Sequence, residues 1–121
     1  MFDQDNLAVE VGSQLAIMAQ VNRVACIRYA NALLAELEGA LIAGTKDAVT
    51  GSPVAAFEQI HALKNLVIPT GSQPLLSACT ALHARAAWSR HRVEVAADFT
   101  AIAEATLNLV QAFRRELDGG T

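Results

Sequence analysis

His61 is the residue of this chain whose type and setting best suit covalent chemistry. An imidazole group has a pKa of about 6.5, so it is largely neutral near pH 7 and can act as a nucleophile. Lys64 follows three positions later, and no aspartate stands close to His61 in the sequence. A hydrolytic triad needs such a third group to activate its histidine. Any reaction at His61 is therefore expected to depend on groups that a partner supplies.

Metal binding is the other chemistry that the spacing allows. Glu58 and His61 form one Glu-x-x-His unit, and di-iron sites in helical bundles require two such units. Neither His83 nor His91 has a glutamate three positions before it. The second unit is missing, so we expect the protein to hold no iron, zinc or manganese.

The element that must position His61 is its own helix. With an advance of about 100° per residue, an apolar stripe lies roughly opposite His61, at about 200° to 260° from it; its members are Ala56, Ile60, Leu63 and Val67. A second set lies within about 60° of His61 on the helical wheel: Phe57, Lys64, Asn65 and Ile68. His61 is therefore predicted to face solvent or a partner.

From His61 onward the middle third of the chain resembles the histidine-containing phosphotransfer (HPt) domains. These are four-helix modules that relay phosphoryl groups between receiver domains in multi-step two-component signalling. Their pattern is His-x-Leu-Lys-Gly, a glycine ten residues after the histidine, and then a helix that carries Leu, Cys and Leu. The matching residues here are His61, Leu63, Lys64, Gly71, Leu75, Cys79 and Leu82. Asn65 replaces the usual glycine, and Ile68 replaces a small residue.

The resemblance implies a function and a division of labour. His61 would carry the phosphoryl group between receiver-domain aspartates, with a response-regulator receiver domain or a hybrid sensor histidine kinase as partner. The receiver would supply magnesium and the acidic pocket, so the protein would need no cofactor of its own and would have no autokinase activity. Lys64 would stabilise charge on the phosphoryl oxygens, and Gly71 would allow the turn between helices.

The resemblance also implies a docking face around His61. Its expected apolar part is Phe57 and Ile68, with Leu66 at the edge; Glu58 and Lys64 would form a polar rim, and Asn65 would also lie on this face. Because Asn65 replaces the family's glycine, a second interpretation stays open. In it, the protein is an HPt-like module that docks on a kinase or receiver without carrying phosphate.

Length and composition predict a single all-α domain over residues 1–121. The chain is rich in alanine and leucine, 53% of its residues are apolar, and aromatic residues make up only 5%, which favours helices. The net charge of −3 counts against nucleic acid as a partner. No signal peptide or membrane span is evident, and Cys26 and Cys79 do not require a disulfide. We expect a cytoplasmic monomer.

Hydrophobic periodicity predicts an antiparallel up-down-up-down four-helix bundle with a short extra N-terminal helix. The extra helix is expected over residues 3–11. The first long helix is expected over residues 13–43, with Ser13 as its N-cap and Gly44 just beyond its end. Its expected apolar seam consists of Ala30, Leu34, Leu37 and Leu41. A polar loop is expected to follow over residues 45–52.

Proline residues mark the limits of the histidine helix. Pro53, after Ser52, is expected at its first position, and Pro69 is expected to end it near residue 68. Ser72 and Pro74 are expected to begin the next helix. One face of that helix carries Leu75, Cys79, Leu82 and Ala86.

Residues 88–92 have no clear secondary-structure assignment from the sequence. The last helix follows them and has the most regular apolar period. Its stripe consists of Val95, Phe99, Ile102, Thr106, Leu109, Phe113 and Leu117. Arg114 and Arg115 are expected to interact with the negative end of its dipole. The remaining histidines, His83 and His91, are expected to be surface residues. A basic group near these histidines consists of Arg85, Arg90, His91 and Arg92. It is expected to be mainly a solvated face, with recruitment of an acidic partner as the alternative.

Overall fold

The computed structural model describes residues 6–50, 53–86 and 92–119 and contains no strand within them. Five α-helices follow one another: α1 Gln14–Val21, α2 Arg23–Thr50, α3 Pro53–Val67, α4 Gln73–Ala86 and α5 Arg92–Gly119. Each of the helices from α2 to α5 packs against the next one along the chain, and α5 also packs along α2. The predicted all-α bundle with a short extra N-terminal helix is confirmed. No described helix is long and apolar enough to span a bilayer.

The short N-terminal helix lies later in the chain than the sequence predicted. Residues 7–10 are not helical, so the leading helix expected over residues 3–11 is wrong there, while residues 1–5 lie outside the described part. Ser13 is an N-cap as expected, because its Oγ accepts a hydrogen bond from the Ala16 N–H at 3.2 Å. The helix that it caps is α1, which ends at Val21.

Asn22 divides the predicted first long helix into α1 and α2. Its backbone is extended, with φ −154° and ψ 98°, and its Oδ1 accepts a hydrogen bond from the Ala25 N–H at 3.0 Å. Asparagine side chains compete with the helix for backbone groups in this way and favour caps over helix interiors. The residue therefore ends one helix and caps the next without any glycine or proline to mark the break.

The end of α2 also differs from the prediction. Gly44 lies inside α2, which continues to Thr50, so the expected loop over residues 45–52 is helical as far as Thr50. Residues 51 and 52 lie outside the described part. A glycine inside a helix costs only about 1 kcal/mol relative to alanine, and the packing of α2 along α5 offsets that cost.

The histidine helix has the predicted limits. Pro53 is the first residue of α3, and α3 ends at Val67. The chain then forms one 3-10 turn over Ile68–Thr70 that contains Pro69, and Gly71 follows with φ 68° and ψ 6°. This left-handed conformation is easily adopted only by glycine, and it reverses the chain between α3 and α4.

The predicted apolar stripes meet in one core. Fully or nearly fully buried members come from all four long helices: Ala30, Leu37, Ile60, Leu63, Val67, Leu75, Cys79, Leu82, Val95, Phe99, Ile102 and Leu109. Leu33 is also buried, whereas Leu34 and Leu41 of the predicted seam pack at the core's edge. Thr106 lies in the core because its hydroxyl donates to the Ile102 carbonyl at 2.8 Å. The stripes confirm the helical faces read from the sequence.

A cation from α2, rather than one from α5, interacts with the C-terminal end of α5. The prediction for Arg114 and Arg115 is wrong, because α5 continues to Gly119 and has no basic residue in its last turn. Arg114 instead donates a hydrogen bond to Asn31 on α2. The Nε of Arg23 donates to the Leu117 carbonyl at 2.6 Å. A positive charge at this end of a helix stabilises it through the unpaired carbonyls and the dipole.

Candidate functional site

His61 lies near the middle of α3 with its side chain exposed. Leu63, two residues further on, is only 1% exposed, and Ile60 and Val67 are equally buried. The helical wheel placed His61 on the side of the helix opposite to Ile60, Leu63 and Val67, and that prediction is confirmed. A packed α3 therefore holds an accessible imidazole on its outer face.

A shallow depression between α3 and α4 brings His61 together with Lys64. It has a volume of ≈ 130 Å³ and is lined by Ile60, His61, Lys64, Cys79, Thr80 and His83. Lys64 is half-buried, so part of its side chain packs on the bundle. A cation and a nucleophile thus share one small surface feature.

His83 is a member of this site that sequence reasoning missed. It is exposed, as expected, but it lines the same depression as His61, and its ring centroid lies 4.9 Å from that of Phe57 with the planes tilted by 59°. A usable signal was present in the sequence. His61 and His83 lie ten residues before and twelve residues after Gly71, so an αα-hairpin that turns at Gly71 places them side by side.

Beside the depression lies a larger, open groove of ≈ 590 Å³, which Lys64 also lines. Ile68 is 49% exposed and borders this groove. The other wall belongs to α4, which the sequence analysis had not included: Gln73, Leu76, Ser77, Thr80, Ala81 and Ala84. The surface is mainly apolar, with Lys64 at its boundary with the His61 depression.

The remaining members of the predicted docking face are dispersed. Phe57 is half-buried against His83, and Leu66 packs against the core rather than at the edge of an exposed patch. Glu58 and Asn65 are exposed, but neither lines the depression or the groove. The surface that joins His61 to the groove is therefore built by α3 and α4 together.

Gly71 has a second structural role in addition to the turn. A Cβ atom at this position would lie 2.9 Å from the Cβ atom of Ser13 and 3.2 Å from that of Glu10. The N-terminal segment crosses here because the Glu10 N–H donates to the Thr70 carbonyl at 2.9 Å. Gly71 thus allows the segment before α1 to pack directly on the chain reversal.

Electrostatic interactions at the site centre on Lys64. Burial raises the pKa of the Cys79 thiol to about 11, and the charge of Lys64 opposes part of that shift. Cys79 is therefore a protonated, buried thiol below the depression. Arg85, from the basic group noted in the sequence, forms an ion pair with Asp98 on α5, while Arg90 and His91 lie outside the described residues. In the described part of the chain, no three potential metal ligands cluster together.

No family model matches the chain, and no match was found among curated proteins or solved structures. The class of protein must therefore be inferred from the bundle and from the surface around His61.

Proposed function

We propose that the protein is a histidine phosphotransfer protein that relays a phosphoryl group between receiver-domain aspartates through His61. The observation that carries the proposal is the shared depression of His61 and Lys64 on a helix whose opposite face is buried. The protein acts as a cytoplasmic monomer, and its partner is a response-regulator receiver domain or a hybrid sensor histidine kinase.

The transfer is a reversible exchange between a carboxylate and an imidazole. The Nε2 lone pair of His61 attacks phosphorus, the bond from phosphorus to the receiver's aspartyl oxygen breaks, and its electron pair returns to the carboxylate. The reverse reaction passes the group to the next receiver. The receiver contributes magnesium and its acidic pocket, so the protein needs only to present the nucleophile in a fixed position.

Lys64 provides positive charge beside the reacting imidazole. It lines both the depression and the groove, so a receiver docked on the groove would meet Lys64 beside His61. Charge develops on the phosphoryl oxygens during transfer, and a fixed cation stabilises it. Lys64 therefore contributes to the rate of transfer more than to docking.

The groove is the surface on which the receiver docks. Ile68 and Leu76 contribute apolar surface there, with Ala81 and Ala84 further along the α4 wall. Apolar area next to a polar centre is typical of transient interfaces. The absence of a glycine-rich phosphate-binding loop from the sequence fits a carrier that receives phosphate from a protein rather than from ATP.

The test is transfer of radiolabelled phosphate from a panel of phosphorylated receiver domains. The wild type should gain an acid-labile, base-stable label only when a receiver or its kinase is added, and none with ATP alone. His61→Gln should abolish labelling without unfolding the protein, because the side chain is exposed. If receivers bind the wild type tightly and none labels it, the carrier function is excluded and a docking module takes its place.

Lys64→Ala tests the division between transfer and docking. We expect slower transfer with receiver affinity nearly unchanged, and Lys64→Arg should restore part of the rate. Arg115→Ala is a matched control, since Arg115 is an exposed cation on α5 and lines neither feature. Equal rates for Lys64→Ala and Arg115→Ala would contradict the assigned role of Lys64.

A further inference from the structure

His83 contacts α3 at the site and is not free on the surface of α4. Its ring packs against Phe57, one turn before His61 on α3, and its side chain lines the depression beside His61 and Lys64. Thr80, one turn earlier on α4, lines the same depression. The site therefore has two imidazoles from two helices, and the Phe57 ring restricts where the second one can lie.

An imidazole at this place makes the charge of the site depend on pH. Histidine is the side chain whose unperturbed charge changes between about pH 5 and 8. A phosphoryl group on His61 would bring up to two negative charges into the depression, and a protonated imidazole attracts them whereas a neutral one does not.

We propose that His83 is a functional part of the phosphoryl site, in which its protonated form stabilises the phosphoryl group on His61. The inference rests on the proposed phosphotransfer function and adds proton linkage to it. His83 takes up a proton from solvent when the phosphoryl group arrives and releases it when the group leaves. The contribution of His83 to transfer onto His61 therefore grows as pH falls.

The depression brings three described titratable groups together with His83. From α3 they are His61 and Lys64, and from α4 itself it is Cys79, whose thiol keeps its proton because burial raises its pKa to about 11. On α5, Asp98 reaches α4, but it is paired with Arg85. Lys64 is retained in every variant of position 83, so its attraction for the phosphoryl group is common to all of them.

The experiment measures how the phosphoryl group is shared between one receiver and the protein at equilibrium, from about pH 6 to about pH 8.5, the range of imidazole titration. Wild type, His83→Gln and His83→Lys are compared with the same receiver. Because the receiver and His61 are common to all three, the ratio of each variant to wild type isolates position 83. Arg115→Gln is the control for loss of an exposed cation outside the depression.

We expect the wild-type ratio to exceed that of His83→Gln by about two- to fivefold at the acid end, as for a partly exposed ion pair, and to approach it at the alkaline end. His83→Lys should keep the higher ratio throughout, and Arg115→Gln should follow the wild-type profile. Wild-type and His83→Gln profiles that remain parallel would overturn the inference and leave the relay function intact. Failure of every receiver to label the wild type would instead remove the proposed function itself.

Discussion

A side chain at Gly71 would collide with Ser13: the two Cβ atoms would lie 2.9 Å apart. Gly71 also has φ 68°, so two separate effects oppose any larger residue. A left-handed conformation costs a non-glycine residue about 1–2 kcal/mol. The contact adds to this cost, because Ser13 is buried and caps α1.

Gly71→Ala should therefore destabilise the protein by more than about 2 kcal/mol. Substitutions at two other glycines separate the cost of the left-handed backbone from the cost of the contact with Ser13. Gly12 has φ 87° with no atom within 4 Å of an added Cβ, so Gly12→Ala should cost only the free energy of placing alanine in the left-handed conformation. Gly39 lies inside α2 with open space around it, so Gly39→Ala should stabilise by about 0.5–1 kcal/mol. Urea denaturation measures all three, and equal effects of Gly71→Ala and Gly12→Ala would exclude the contact with Ser13.

Val67 and Ile68 are neighbours with opposite surroundings, since Val67 is fully buried and Ile68 is 49% exposed. Val67→Asp should unfold the domain, because an unpaired buried carboxylate costs several kcal/mol of the roughly 5–15 kcal/mol available to a domain. Ile68→Asp should leave the denaturation midpoint nearly unchanged and, under the proposed function, weaken receiver binding in calorimetry. Similar midpoints for the two variants would contradict the assignment of faces.

Ionisation of the Cys79 thiol makes the free energy of unfolding depend on pH in the alkaline range. Its pKa is raised from 9.0 to about 11 in the fold, so the unfolded chain loses this proton first as pH rises. The folded protein holds this proton more tightly than the unfolded chain does, so Cys79 contributes a stabilisation of the fold that is fully present below about pH 9. This stabilisation is lost as pH rises toward about 11. Urea midpoints should fall over that window in the wild type and fall less steeply in Cys79→Ala. Identical slopes would show that Cys79 ionises equally in both states.

Arg23 stabilises α5 from another helix. Arg23→Gln removes a charge-assisted hydrogen bond to the Leu117 carbonyl and should cost about 1–2 kcal/mol. The matched control is Arg28→Gln on the same helix, where Arg28 is exposed, and it should change stability by no more than about 0.5 kcal/mol. Denaturation followed by circular dichroism measures the effect. A loss for Arg28→Gln as large as that for Arg23→Gln would show that the charge of α2, rather than the cap, matters.

Helical faces and proline-marked ends could be predicted from the sequence because they follow from local rules. The spacing of Ile60, Leu63 and Val67 defines the buried side of α3, and the exposure of His61 on the other side follows from it. Pro53 lacks an N–H that the first turn of a helix does not use. Neither inference depends on which other helix packs nearby.

Features that depend on two distant segments required the tertiary structure. The continuation of α2 past Gly44 reflects packing along α5 that outweighs the weak helix preference of glycine. Arg23 and Leu117 are 94 positions apart, and no periodicity relates them. His83 joins His61 only because the chain reverses at Gly71 and sets α3 against α4. The sequence by itself determined which residues face outward, whereas the packing of α3 against α4 decided which of them share a site, since a contact between helices depends on their relative position.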